Sequence, residues 1–151
     1  MRTAGFFTVV ASALLAGCNG GSDAPLPDRT VQQLMEDEVQ PTAEIYWGAV
    51  QYISDEDGDH DIVPETDEDW ERVRASAVKL AEYGELLSTP AYMEGREDDW
   101  AVFSNALVEV SQRAEQTAVD RDPEAVFEVG GIVYRVCQGC HLAYPPENMP
   151  Q

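Results

Sequence analysis

The chain has 151 residues, a length that suits one domain of ordinary size. Hydrophobic residues make up 44% of it, which argues against a chain that is disordered throughout. The 29 acidic residues outnumber the 9 lysines and arginines and give a formal charge of −20. Nucleic acid is therefore disfavoured as a partner, because such a surface repels phosphate. A basic protein, or a basic patch on one, is the partner that this charge favours.

The first 17 residues have the pattern of a signal peptide, with Arg2 followed by an uncharged stretch over residues 4–17. This stretch is too short to span a bilayer comfortably, but it has the length of a secretory hydrophobic region.

Residues 15–18 read Leu-Ala-Gly-Cys and resemble the lipobox of bacterial lipoproteins. The resemblance implies that Cys18 is acylated and anchors the mature protein to a membrane on the periplasmic side. Because Asn19 rather than Asp follows, the outer membrane is favoured. An ordinary signal peptide with a chance cysteine is the alternative.

The rest of the chain predicts a tether and then helices. Residues 18–27 are rich in Gly, Ser and Pro, which is typical of a flexible tether. Apolar residues recur with helical spacing over residues 28–54, 67–88, 97–121 and 122–144, and residues 55–65 form the long loop. No segment of useful length alternates between apolar and polar residues as a half-buried β-strand does, so a sheet is not expected. We therefore expect an all-α fold, an antiparallel four-helix bundle, for the domain over residues 28–151.

Local signals refine these helices. Pro41 predicts a kink or a short break in the first helix. Thr66 and Asp69 have the spacing of a capping box at the start of the second helix. Asp122 followed by Pro123 predicts the start of the last helix.

The motif Cys137-Gln138-Gly139-Cys140-His141 is the most specific chemical signal in the sequence. C-x-x-C-H is the attachment signature of c-type haem. On a helix the two cysteines lie about 60° apart and one turn apart, so both sulfurs can reach the two vinyl groups on one haem edge. The adjacent histidine lies on the same side and can bind the iron.

The sequence also permits other roles for these cysteines and the histidine. A zinc site requires four ligands at another spacing. A thioredoxin-like pair belongs at a helix N-terminus, whereas this pair lies near a C-terminus, where the helix dipole disfavours a thiolate. A plain disulfide and unmodified core thiols are the remaining alternatives.

A C-terminal CxxCH on the last of four helices resembles the class II cytochromes c, the group of cytochrome c′ and cytochrome c556. The resemblance covers roughly residues 30–144. It implies one covalent haem c packed between helices, with His141 as the proximal iron ligand. Members either carry single electrons or bind small gases at an open iron, and they often form homodimers. We expect an electron carrier rather than an enzyme, with a five-coordinate haem protein that binds NO or CO as the alternative.

Met35 is the candidate for the sixth iron ligand, because some members of that family place a methionine of the first helix there and Met35 lies on the apolar face. A methionine on such a face is more often a packing residue of the hydrophobic core than an iron ligand. Met93, Met149 and His60 are poorer candidates, since the first two lie in a link and in the tail and His60 lies in an acidic loop.

Overall fold

Helices account for 71% of the residues that the structure describes. The structure is a computed structural model, and it describes residues 28–146. The predictions for residues 1–17 and 18–27, including Cys18, lie outside the described residues. In chain order the elements are α1 (Val31–Leu34), a π-helical turn (Met35–Val39), α2 (Gln40–Gly48), β1 (Gln51–Asp55), β2 (Gly58–Ile62), α3 (Asp67–Leu87), α4 (Pro90–Met93), α5 (Asp99–Val119) and α6 (Pro123–Ala143). The mainly helical prediction is confirmed, whereas the expectation of a fold without a sheet is wrong.

The three long helices begin and end within two residues of their predicted limits, and both predicted caps are present. The N–H of Asp69 donates to Thr66 Oγ1 at 3.1 Å, and Asp69 Oδ2 accepts from the N–H of Thr66 at 3.0 Å. The Thr66 hydroxyl also donates to Asp69 Oδ2 at 2.7 Å, and this bond together with the one from the Thr66 N–H lowers the pKa of Asp69 to about 2. At the start of α6, Asp122 Oδ1 accepts from the N–H of Ala125 at 3.0 Å. Caps of this kind satisfy backbone donors that the first helical turn leaves unpaired.

The first helical segment ends at Gly48 rather than near residue 54, and of the kink or short break predicted at Pro41, the break is absent. A proline inside a helix lacks an N–H and crowds the carbonyl group four residues earlier. The π-helical turn precedes Pro41, and there the N–H of Gln40 donates to Met35 O, five residues back. This wider turn changes the hydrogen-bond pattern just ahead of the proline, so the segment stays helical from Val31 to Gly48.

The hairpin of β1 and β2 replaces the predicted loop and the end of the predicted first helix. Asp55 pairs with Gly58, Asp55 Oδ1 accepts from the N–H of Asp57 at 2.9 Å, and Gly58 has a φ of +115°. That φ favours glycine, so the turn depends on it. All of β2 is exposed, which explains why no alternating apolar pattern marks it. The Asp57-Gly58 dipeptide was the available signal for a hairpin.

α3 and α5 run antiparallel, as the contacts at their two ends require. At one end of α3 and α5, Trp100 Nε1 donates to Leu87 O at 2.8 Å. At the other end, Arg121 just after α5 pairs with Asp67 at the start of α3, at 2.6 Å. The long helices and the first helical segment enclose one apolar core, whose most deeply buried large side chains are Leu34, Tyr46, Leu80, Val126, Val129 and Val133.

The chain enters the first helical segment beside α3 and α4. Arg29 Nη1 lies 2.8 Å from Glu38 Oε1, and the Tyr83 hydroxyl donates to the other oxygen of Glu38 at 2.8 Å. The Tyr92 hydroxyl donates to Arg29 O at 3.2 Å. Thr30 caps α1 by accepting from the N–H of Gln33 at 3.1 Å. These contacts fix the point at which residues 1–27 join the described domain.

Gly84 marks the closest approach of α3 to α5. A Cβ at this position would lie 2.7 Å from Val108 Cγ2 and 2.9 Å from Ser104 O. One of these atoms belongs to the backbone, so a methyl group there would push the two helices apart. A glycine inside a helix costs stability relative to alanine, and close packing is the physical reason for its presence here.

Gly84→Ala is expected to lower the free energy of unfolding, because the clash outweighs the roughly 1 kcal/mol gain in helix propensity. Overpacking of this kind costs about 1–3 kcal/mol. Urea unfolding followed by circular dichroism measures the change. Gly131→Ala in α6 is the control, since its Cβ would meet only the flexible end of Arg135 at 3.6 Å, and it should be neutral or stabilising. Equal stabilisation by both variants would contradict the close packing at Gly84.

Candidate functional site

The motif cysteines and histidine lie in the last two turns of α6, and all three side chains are partly buried. α6 remains helical to Ala143, so Cys137 and Cys140 are one turn apart as the sequence predicts. Gly139 between them lies against α5, where its Cβ would be 3.5 Å from Phe103 Cε1. The helical geometry therefore directs the cysteines and His141 toward the space between α6, α5 and the first helical segment.

Two cavities occupy that space. The larger has a volume of about 720 Å³, which falls in the range of about 300–1,000 Å³ for small-molecule and cofactor sites. The smaller has a volume of about 60 Å³ and adds Cys137, Phe103 and Trp47 to the walls. The residues that line both cavities are Met35, Gln40, Trp100, Cys140 and His141. The structure thus brings together four of the residues singled out in the sequence: Met35, Cys137, Cys140 and His141.

The two thiols have environments that disfavour a thiolate. Burial raises the pKa of Cys137, and burial together with the repulsion that an ionised Cys137 and the Asp99 carboxylate would exert raises the pKa of Cys140 to about 11. Redox-active and catalytic cysteines act as thiolates and lie near cations or helix N-termini. Neither sulfur forms a disulfide. The local chemistry therefore argues against a redox-active thiolate pair.

An aromatic cluster forms one end of the larger cavity. Trp100 is held by its hydrogen bond to Leu87 O, and the edge of Tyr144 meets its ring at a centroid distance of 5.0 Å. The Tyr144 hydroxyl donates to Asp99, which raises the pKa of that phenol. Arg96 lies over the Trp100 ring, with its guanidinium carbon 4.4 Å from the centroid. Trp100 falls within the predicted helix over residues 97–121, but nothing in the sequence marked Arg96, since it lies in a link between helices.

The other candidates for the sixth ligand position lie away from these cavities. Met93 packs against the core at the end of α4 and lines neither cavity. His60 is exposed on β2, with Nε2 at 3.8 Å from Asp55 Oδ2. Met149 lies outside the described residues. Met35, in the π-helical turn, is the described methionine that shares walls with His141.

Gly130, which precedes Gly131 within α6, has a packing explanation. Trp47 Nε1 donates to Gly130 O at 3.0 Å, and a Cβ on Gly130 would lie 3.4 Å from Trp47 Cδ1. Gly130 therefore lets α2 approach α6 closely. This contact runs beside a third cavity, of about 640 Å³, that contains neither cysteine of the motif.

Within residues 28–146, no group of three or more His, Cys, Asp or Glu side chains is arranged to hold a metal ion. In the same part of the chain, no helix has both the length and the apolar character needed to cross a bilayer.

Three comparisons with known proteins bear on the identity of the chain. No model of a protein family matches it, and neither a curated protein nor a solved structure matches it. The candidate function therefore depends on the motif and on the geometry around it.

Proposed function

We propose that this chain is a monohaem c-type cytochrome that carries single electrons in the cell envelope. The observation that carries the proposal is the placement of Cys137, Cys140 and His141 on the walls of apolar cavities that Met35 also lines. Two thiols one helical turn apart, followed at once by an imidazole, are the donor set that a covalently held haem requires. Both cysteines are partly buried, and the raised pKa values of their thiols argue against a role as free thiolates.

Each residue has a separate task in this proposal. Cys137 and Cys140 would hold one edge of the haem, and His141 would bind the iron from the proximal side. Met35 would be a second protein ligand to the iron, and Trp100 and Phe103 would limit the access of water. The haem supplies reversible one-electron chemistry when bound, and axial ligands and burial set its potential.

We also propose that the helices form an antiparallel four-helix bundle of the class II cytochrome kind. The end contacts between α3 and α5 support this arrangement, as does the contact between Tyr144, just after α6, and Asp99 at the start of α5. The first helical segment would be the fourth member. Class II cytochromes often form homodimers, which this arrangement would permit.

The charge of −20 supports a redox partner with a basic docking patch. Complementary charge raises association rates and makes them depend on ionic strength. The same charge argues against nucleic acid as a partner.

The spectrum of the matured protein tests the proposed function. We expect a c-type haem spectrum in the ferric and ferrous states, and haem that stays with the protein in acidic organic solvent. A low-spin spectrum that carbon monoxide changes little would favour the electron carrier. A high-spin spectrum with ready carbon monoxide binding would favour the gas-binding alternative. Haem that extracts freely, or no haem at all, would contradict covalent attachment.

Cys18 is proposed as a lipid anchor that holds the protein in the periplasm, on the outer membrane. Cys18→Ser is expected to move the protein from the membrane fraction to the soluble fraction, because the variant has no residue to acylate. Fractionation in a bacterium that processes lipoproteins measures this shift. Met35→Leu, which leaves the Leu-Ala-Gly-Cys sequence intact, is the control. A wild type that is unmodified and soluble would contradict the anchor.

A further inference from the structure

The positive charges of this acidic protein are mostly paired within the domain. Among residues 28–146, five basic side chains lie 2.5–3.0 Å from carboxylate oxygens: Arg29, Arg72, Arg74, Lys79 and Arg121. The other three arginines in that range, Arg96, Arg113 and Arg135, have no carboxylate partner there. Arg113 and Arg135 are exposed, whereas Arg96 is partly buried. An arginine that stays unpaired and partly buried among so many acids needs an explanation.

Arg96 lines the larger of the two cavities, together with Cys140 and His141. It is the only lysine or arginine of the described chain that lines either of them. Its Nη1 donates to Tyr92 O at 2.5 Å, and its guanidinium plane lies over the Trp100 ring. Within residues 28–146, no acceptor engages its Nη2 or Nε. The carbonyl group of Tyr92 and the Trp100 ring therefore hold the side chain in place, while Nη2 and Nε remain able to donate hydrogen bonds.

A ligand that fills this cavity meets mostly apolar walls, the exposed Glu36 carboxylate and the guanidinium group of Arg96, which is the one lysine or arginine cation on these walls. Haem carries two propionate carboxylates, and burying a carboxylate without a cation or water is costly. A guanidinium group offers two parallel donors that match a carboxylate. This inference rests on the proposed function. We propose that Arg96 is the counter-ion for a haem propionate at this cavity, and so a positioning residue for the haem and a determinant of its potential.

The test compares the haem-loaded wild type with Arg96→Gln, Arg96→Lys and the control Arg113→Gln. Arg113 is exposed on α5 and lines neither cavity. A positive charge near the iron favours the ferrous form, so its removal is expected to lower the midpoint potential of Arg96→Gln. Arg96→Lys keeps the charge and should retain most of the wild-type potential. Arg113→Gln, which removes the same charge from a solvated site, should change the potential much less.

A second measurement decides the case if Arg96→Gln does not accumulate with haem. Resonance Raman bands of the propionate groups respond to their hydrogen bonds, and an ammonium group cannot reproduce the planar contact of a guanidinium group. These bands are therefore expected to shift in Arg96→Lys and not in Arg113→Gln.

Two results would overturn the assignment of Arg96. One is a folded, haem-loaded Arg96→Gln with the wild-type potential, and the other is a set of propionate bands that is unchanged in Arg96→Lys. A wild type without covalent haem would overturn the proposed function as well, so the two failures are distinguishable.

Discussion

Replacing both Cys137 and Cys140 with serine is expected to reduce covalently held haem to background. A serine hydroxyl is a far weaker nucleophile than a thiol and does not form the thioether that each cysteine would make. Each single variant leaves one sulfur, so some covalent haem should remain in Cys137→Ser and in Cys140→Ser. The measurement is haem staining after denaturing electrophoresis, together with extraction in acidic organic solvent.

Val136→Ser is the matched control for these cysteine variants. Val136 precedes the motif, lines the smaller cavity and is partly buried, so the change adds the same hydroxyl group to the same wall. This variant should keep its covalent haem, although its stability should fall because a buried apolar group is lost. If the double variant retained wild-type covalent haem, attachment at this motif would be wrong. If Val136→Ser lost as much haem as the double variant, a damaged fold rather than a missing thiol would explain the result.

Met35→Leu is expected to convert the haem from low spin to high spin and to raise its affinity for carbon monoxide. The side chain lies in the π-helical turn and lines both cavities with His141, so both side chains border the space that the haem would fill. Leucine nearly conserves the volume, so the substitution should cost less than about 1.5 kcal/mol of stability. The loss of the thioether sulfur, rather than a packing defect, would then cause the spectral change.

Met93→Leu tests the same chemical change at a methionine that packs against the core but lines neither cavity. Its spectrum and carbon monoxide affinity should equal those of the wild type. A folded Met35→Leu with an unchanged low-spin spectrum would remove Met35 as an axial ligand. A wild type that is already high-spin would move the gas-binding function ahead of the carrier.

The helices were predictable where their signals were local. Thr66 with Asp69, and Asp122 with Pro123, mark helix starts through side-chain hydrogen bonds and a preset backbone angle, which a single sequence contains. The hairpin was missed because β2 buries nothing and so lacks an alternating pattern. The π-helical turn was missed as well. Its hydrogen bonds join residues five apart instead of four, and this difference does not change the spacing of apolar residues visibly over a single turn.

The candidate site was predictable in its chemistry and less so in its surroundings. The spacing of Cys137, Cys140 and His141 defines a donor set by itself. The neighbourhood of Met35 depends on how the first helical segment packs against α6, which only the tertiary structure reveals. Arg96 could not be found from the sequence, because a residue in a short link has no periodic neighbours that indicate which way it points.

The entry of the chain at Arg29 and Thr30 has a consequence for encounters with partners. Thr30 lines the larger cavity, so the segment that leads from Cys18 joins the domain at the rim of the candidate haem cavity. The residues between Cys18 and Arg29 span at most roughly 35 Å when extended. Acylation of Cys18 would therefore keep this rim within a short radius of the lipid surface and confine its search for partners to two dimensions.

Anionic lipid would meanwhile repel a domain of this charge. A membrane-bound partner with a basic patch would collide with the rim often, without the domain settling on the bilayer.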